Sequence, residues 1–347
     1  MKIEVYSPTI RRKEMDAVLT ALVEDKIGPG EQSKFLIQIA REKLKFDHCL
    51  ALRSPAFALY LALKSLNINK GEGVLVSALS PLYYAWVIRD LGLTPVYCDV
   101  QPSTTCISRQ TVEKAFASKP EGLDVRCLVL HHTLGYLCDT HAISEFGLPV
   151  IEDHSQSYGT VTGNDSDSEL NGGIFTILGL EEKDMLTSGG GSLFYSSNRR
   201  LSRQDFPGIQ GDLPPEYGLP GMNAAMAVVQ FRETEKNLLK RQEIAEVYSQ
   251  AAQRTRHKRF VHDVKYNNYA FPLVLEKGMK DVKAYARRKD IAVESVFENT
   301  LIGSGLISIE LCPEAYSLSL RTALFPIYPR LNMTDAGKVA KLILTLP

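Results

Sequence analysis

An excess of charge of either sign is missing from this sequence. Forty lysines and arginines face forty aspartates and glutamates, for a formal net charge of zero. No chain-wide field draws the protein to nucleic acid or to an anionic membrane, and neither is an expected partner. Paired cysteines are missing as well. The six, at 49, 98, 106, 127, 138 and 312, include no C-x-x-C spacing and mostly sit in apolar runs. That excludes the common zinc and dithiol motifs and suits buried free thiols in a reducing compartment. No apolar run reaches the roughly 20 residues that cross a bilayer. The opening Met1-Lys2-Ile3-Glu4-Val5-Tyr6 lacks the regions of a signal peptide, so a cytoplasmic protein is expected. Internal repeats and low-complexity tracts are absent too.

What is present is an ordinary globular composition, 44% hydrophobic and 23% charged, over 347 residues. That is room for two domains, or for one large unit with an appendage. Met15, Val18, Leu19, Leu22 and Val23 recur at helical spacing within Arg11 to Val23, and a second helix is expected from Glu31 to Leu44. Cys49 to Leu52 reads as a strand. Ser54 caps a helix that opens on Pro55 and runs through Leu66. Val74 to Val76, Pro95 to Val100, Val125 to Leu130 and Ser192 to Tyr195 read as further strands. Ser77 to Leu91 and Val112 to Ala117 read as helical. This alternation through about residue 200 predicts an α/β domain with a mostly parallel, doubly wound sheet. Asn164 to Glu169 reads as a surface loop and Asp205 to Pro220 as irregular. A long helix is expected from Met222 to Gln253, where Ala224, Ala225 and Ala227 would let another helix or subunit approach closely. Strands at Ala270 to Leu275 and Ile291 to Val293, with helices at Asp281 to Lys289 and Thr334 to Leu344, predict a smaller α+β domain. The expected division is 1–245 and 246–347, with residues 1–30 able to pack on the smaller part.

The chemistry gathers around Val150-Ile151-Glu152-Asp153-His154-Ser155-Gln156-Ser157-Tyr158-Gly159, an apolar strand running into a polar turn. Ligands of open parallel sheets collect at the carboxyl ends of strands. Thirty residues on come Lys183 and then Thr187-Ser188-Gly189-Gly190-Gly191. An acid at a strand end, then a lysine, then glycines is the order found in pyridoxal phosphate enzymes. There the acid pairs with the pyridine nitrogen and the lysine carries the cofactor. Taken singly, Asp153 reads rather as a turn or cap residue and Lys183 as a solvated surface charge, and it is their order that points to a cofactor. The amino end of the helix opening at Ser54-Pro55-Ala56 is a candidate phosphate cradle or an ordinary capped helix.

The chain resembles the DegT/StrS-type sugar-nucleotide aminotransferases, pyridoxal phosphate enzymes of fold type I, over nearly its whole length. Ser7-Pro8-Thr9-Ile10, Gly28-Pro29-Gly30, Gly71-Glu72-Gly73-Val74-Leu75-Val76 and Leu91-Gly92-Leu93-Thr94-Pro95-Val96-Tyr97-Cys98-Asp99 follow the family's pattern. So do His132-Thr133-Leu134-Gly135 with Asp139, and Leu324-Phe325-Pro326-Ile327-Tyr328-Pro329-Arg330-Leu331. The stretch Ile151 to Gly159 carries the most specific match, with acid and glutamine in register. The resemblance implies that Asp153 holds the pyridine nitrogen protonated, that Gln156 lies near the ring's phenolic oxygen and that Lys183 is the Schiff-base lysine. It places Thr176 and Ala56 at the cofactor's phosphate and implies a homodimer.

Several family positions differ. The phosphate-binding S-G-T is Ser54-Pro55-Ala56, the ring-stacking aromatic falls on Pro81, and Thr176 stands seven rather than five residues before Lys183. Tyr83 or Tyr84 is a candidate to replace the aromatic. The expected function is pyridoxal phosphate-dependent transfer of an amino group, from a donor such as glutamate, to a nucleotide-linked keto sugar. The alternative is a catalytically degenerate paralogue that serves as a binding or assembly subunit. A sugar dehydratase is a third reading, against which Lys183 argues, because family dehydratases carry histidine there.

Overall fold

The computed structural model describes residues 2–44, 46–160, 172–196, 209, 211, 213–261 and 266–347. The loop expected at Asn164 to Glu169 and part of the tract from Asp205 lie outside them.

The central sheet holds β1 (His48–Leu52), β2 (Gly73–Ser77), β3 (Thr94–Cys98), β4 (Val125–His131), β5 (Val150–Asp153), β6 (Phe175–Gly179) and β7 (Ser192–Ser196). Their order is β1-β7-β6-β5-β4-β2-β3. Strands β2 to β6 pair parallel, while β7 runs against both β1 and β6. The mostly parallel sheet expected from the alternation is therefore present. Every residue of β2, β5, β6 and β7 is buried. Strands buried along their whole length need cover on both faces.

That cover comes from α2 (Glu31–Leu44), α3 (Pro55–Ser65), α4 (Tyr83–Asp90), α5 (Arg109–Ser118), α6 (Thr140–Ser144) and α7 (Gly221–Ala252), while α1 (Arg12–Val23) packs against α7. Their starts follow local chemistry. The Ser54 hydroxyl accepts from the Phe57 amide at 3.2 Å with Pro55 in the first turn of α3, and the Ser108 hydroxyl caps α5 through the Thr111 amide. Helix α4 starts six residues later than the expected helical stretch. Pro81 keeps Ser80 out of helical backbone, so 78–82 turns instead and Pro81 bridges to Thr300.

A second, antiparallel sheet joins β8 (Phe271–Val274), β9 (Glu294–Ser295) and β10 (Thr322–Phe325) in the order β8-β10-β9. It is flanked by α8 (Met279–Arg287), α9 (Pro313–Arg321) and α10 (Met333–Leu344). Sequence patterning missed α9 and put a strand at Ile291 to Val293. Ile291 makes only a bridge, to Ile3, and the short strand follows it. Helix α7 belongs to both cores. Ala224, Ala227, Val228 and Phe231 pack in the core around the large sheet, and Ile244, Ala245, Tyr248 and Ala252 in the second. Ile3 joins the second core, with its amide on the Asp290 carbonyl at 2.8 Å and its carbonyl on the Ala292 amide at 2.8 Å.

Candidate active site

The carboxyl ends of β2, β4 and β5 lie side by side and deliver Ser77, His131 and Asp153 to one edge of the sheet. Beside them is a cavity of about 220 Å³ whose walls include Tyr6, His131, Gln156, Lys183, Asp184 and Glu294. A larger hollow, about 390 Å³, is lined by Phe57, Tyr60, Lys64 and Tyr217. Among the described residues it brings no acid to its lysine, so the smaller cavity is the chemical candidate.

Lys183 is exposed, and its ammonium lies 4.9 Å from the centre of the Tyr6 ring, a cation–π contact. Its backbone carbonyl accepts from the Tyr269 hydroxyl at 2.7 Å. The turn carrying it is closed by the Leu180 amide on the Gly191 carbonyl at 2.8 Å. Gln156 Oε1 accepts from the Leu134 amide at 2.7 Å. Asp184 follows Lys183 and was not singled out from sequence. Its Oδ2 accepts from the Glu181 amide at 2.8 Å. Burial pushes its carboxyl well above the usual range, and the charges of Asp153 and Glu181 push the same way. The carboxyl sits over Gly179, where a Cβ would lie 2.2 Å from its Oδ2.

Asp153 is 1% exposed. Its Oδ1 accepts from the Ser155 amide at 2.9 Å and hydroxyl at 2.5 Å. Its Oδ2 accepts from the Tyr84 hydroxyl at 2.6 Å and the Tyr83 hydroxyl at 3.2 Å. His131 Nδ1 stands 3.8 Å from Oδ2. Burial alone would raise the acid's pKa, but His131, Ser155 and Tyr84 outweigh it and lower the value. Asp153 is therefore a buried, ionised carboxylate.

Glu152 points to the other face of β5. It accepts from the Thr140 hydroxyl at 2.8 Å and the Gly173 amide at 3.1 Å, with His154 Nε2 at 3.4 Å. Burial opposes ionisation there, yet His154, His132 and Thr140 together hold Glu152 at about 2. His132, Glu152 and His154 are close enough to suggest a metal cage. The tautomer argues otherwise. His132 Nδ1 accepts from the Cys138 amide at 3.2 Å, so in neutral His132 the proton sits on Nε2, the atom a metal would need bare. The set shares protons around a carboxylate.

A pyridoxal phosphate group fits this arrangement unevenly. Lys183, Gln156 and His131 share one cavity, as the aldehyde and ring-oxygen end requires. At the nitrogen end, the acceptor positions of Asp153 are already filled by the chain. At the phosphate end, Pro55 has no amide hydrogen and the Phe57 amide serves Ser54, which leaves the Ala56 amide in the first turn of α3. Ala56 lies outside the cavity wall. Thr176, expected at the phosphate, is fully buried and lies outside the cavity wall. It pairs with Glu152 in the β5–β6 ladder and so faces away from Asp153. Its hydroxyl is hydrogen-bonded to Tyr195.

The fold is shared with solved structures at low identity. A protein assigned as a sugar aminotransferase, Spr1654 of Streptococcus pneumoniae in its PMP form, superposes with a TM-score of 0.88 at 17% identity, covering 100% of this chain and 98% of that one. The aminotransferase TlmJ of Streptoalloteichus hindustanus gives 0.85 at 19%, covering 98% and 97%. A GDP-4-keto-6-deoxymannose-3-dehydratase with a trapped PLP-glutamate geminal diamine gives 0.82 at 12%, covering 98% and 99%. Aminotransferases and a dehydratase thus share this architecture, and the architecture does not choose between their reactions. At the level of sequence, residues 8–344 match one family along nearly the whole chain. The chain belongs to the DegT/DnrJ/EryC1/StrS aminotransferase family, whose cofactor is pyridoxal phosphate.

Proposed function

We propose that this chain transfers an amino group to a keto sugar with pyridoxal phosphate as the carrier, that the sugar is linked to a nucleotide, and that an amino acid such as glutamate is the donor. The observation carrying this reading is the meeting of Lys183, Gln156 and His131 on one cavity at the carboxyl ends of β4 and β5. When bound, pyridoxal phosphate supplies an aldehyde for the amino group and a ring that takes up negative charge. The remaining roles fall to the chain. Lys183 supplies the amine that holds the cofactor and, once released, carries the proton to and from the substrate carbon. The Tyr6 ring and the Tyr269 hydroxyl hold this lysine and its backbone in the cavity wall. Gln156, fixed by the Leu134 amide, offers its nitrogen to the ring oxygen. Tyr6, brought there by the N-terminal segment, forms part of the cavity wall. The same reading carries a homodimer, a cytoplasmic setting and a division at residue 245 into a cofactor domain and a smaller one.

A second reading, a paralogue that keeps the fold as a binding or assembly subunit, is favoured by the closed carboxylate of Asp153 and by the donor-poor start of α3. One experiment separates the two. Purified protein is titrated with pyridoxal phosphate, reduced with borohydride and mapped by peptide mass. Amino transfer requires a visible absorbance band and a label on Lys183. Protein that stays colourless at saturation leaves the second reading.

A further inference from the structure

Asp153 stands at the end of β5, where the family places the partner of a cofactor's ring nitrogen, yet protein surrounds it. An ionised carboxylate offers about four lone-pair positions. Two on Oδ1 take the Ser155 amide and hydroxyl, and two on Oδ2 take the Tyr84 and Tyr83 hydroxyls. The surrounding groups are fixed in turn. The Ser155 hydroxyl accepts from the Gly179 amide at 2.8 Å, and the two tyrosine rings meet edge to face with centroids 5.0 Å apart. Tyr84 is fully buried, Tyr83 is half-buried, and Asp153 itself is absent from the cavity wall.

We infer that Tyr83 and Tyr84 have withdrawn Asp153 from cofactor binding: here the carboxylate anchors the start of α4 to the end of β5, and a ring drawn into the cavity is held without Asp153 at its nitrogen. The inference concerns the cavity proposed above and rests on that reading only for the identity of the cofactor. Without that carboxylate the ring nitrogen is held protonated less firmly, so the ring is a weaker electron sink. Retention then depends on Lys183 and the cavity wall.

The test uses the full chain and its Asp153→Asn variant, with two readouts: the dissociation constant for pyridoxal phosphate and the unfolding temperature. The expected result is an unchanged dissociation constant and a lowered unfolding temperature. A dissociation constant raised about tenfold or more, the loss that follows removal of one charged hydrogen bond, with the unfolding temperature unchanged, overturns the inference. Should Asp153→Asn not fold, Tyr83→Ala decides. Clearing the half-buried phenol from Oδ2 is expected to tighten pyridoxal phosphate binding about tenfold by the same arithmetic, and unchanged binding overturns the inference. If the unmodified chain takes up no pyridoxal phosphate, the proposed amino transfer fails. The inference is then decided by combining Asp153→Ala with Tyr84→Phe. The two losses of stability should overlap, because they remove one shared bond. Full additivity overturns it.

Discussion

Glu152 and Asp153 are neighbours in sequence, but strand alternation sends them to opposite faces, and each face gives its acid a different set of partners. Glu152 is held at about 2 against an ordinary 4.5. A carboxyl depressed in the fold stabilises it fully above its unfolded value, and the contribution is lost as pH falls from about 4.5 to about 2. The difference corresponds to about 3 kcal/mol. Glu152→Gln is expected to cost about that much near neutral pH and to flatten the acid limb of stability, as urea unfolding at neutral and acid pH would show. Asp184 has the opposite sign. Burial raises its carboxyl well above the usual range, so its cost to stability is absent below the unfolded value of 3.8 and grows as pH rises. Asp184→Asn keeps an acceptor for the Glu181 amide. It is expected to raise the unfolding temperature at neutral pH, with the gain shrinking as pH falls towards 4. Sequence reading singled out Asp153 and Lys183 by their order along the chain, and Gln156 through the family resemblance. It gave Asp184 no weight, because an acid beside an exposed lysine carries no local sign of burial.

The turn between β6 and β7 shows what a glycine run does once it is folded. In sequence, Gly189-Gly190-Gly191 marked the approach to a cofactor. In the structure Gly191 has φ +119°, and a Cβ there would lie 2.2 Å from Leu219 Cδ1 and 3.2 Å from the Leu52 carbonyl. The glycine lets β7 leave the Lys183 turn against β1 and the start of α7. Gly191→Ala is expected to cost about 3 kcal/mol through backbone strain and overpacking. Faster, less selective modification of Lys183 by an amine reagent would show that the turn had loosened. Helix α3 presents the reverse case, since its cap was legible from Ser54-Pro55 alone. Losing the bond from the Phe57 amide in Ser54→Ala is expected to cost about 1 kcal/mol in chemical unfolding. The start of α4 was misplaced because helical spacing outweighed the effect of Pro81 on the residue before it.

Across the whole molecule, α7 joins the two cores, and Arg241 on it is a buried polar tie. Its Nη1 lies 3.2, 3.0 and 2.9 Å from the carbonyls of Asn268, Tyr269 and Ile327. Burial lowers its pKa to about 10, so it stays charged at neutral pH. Arg241→Met leaves those carbonyls without their donor. It is expected to cost about 2–4 kcal/mol and to separate the unfolding of the two cores into distinct calorimetric transitions. The N-terminal segment is a second tie, carrying Ile3 into the smaller core and Tyr6 onto Lys183.

By itself the sequence determined the alternation of strand and helix, the family, and which residue types stand at the family's positions. Periodicity, caps and motif spacing are local, and they survive in a linear string. Only the tertiary structure decided that Thr176 shares a face with Glu152, that Lys183 stays exposed against Tyr6, and that Asp153 is closed by phenols about seventy residues away in the chain. Hydrogen-bond partners, shared faces and burial are set by packing between distant segments, and for a carboxylate those partners decide whether it holds a cofactor or a helix.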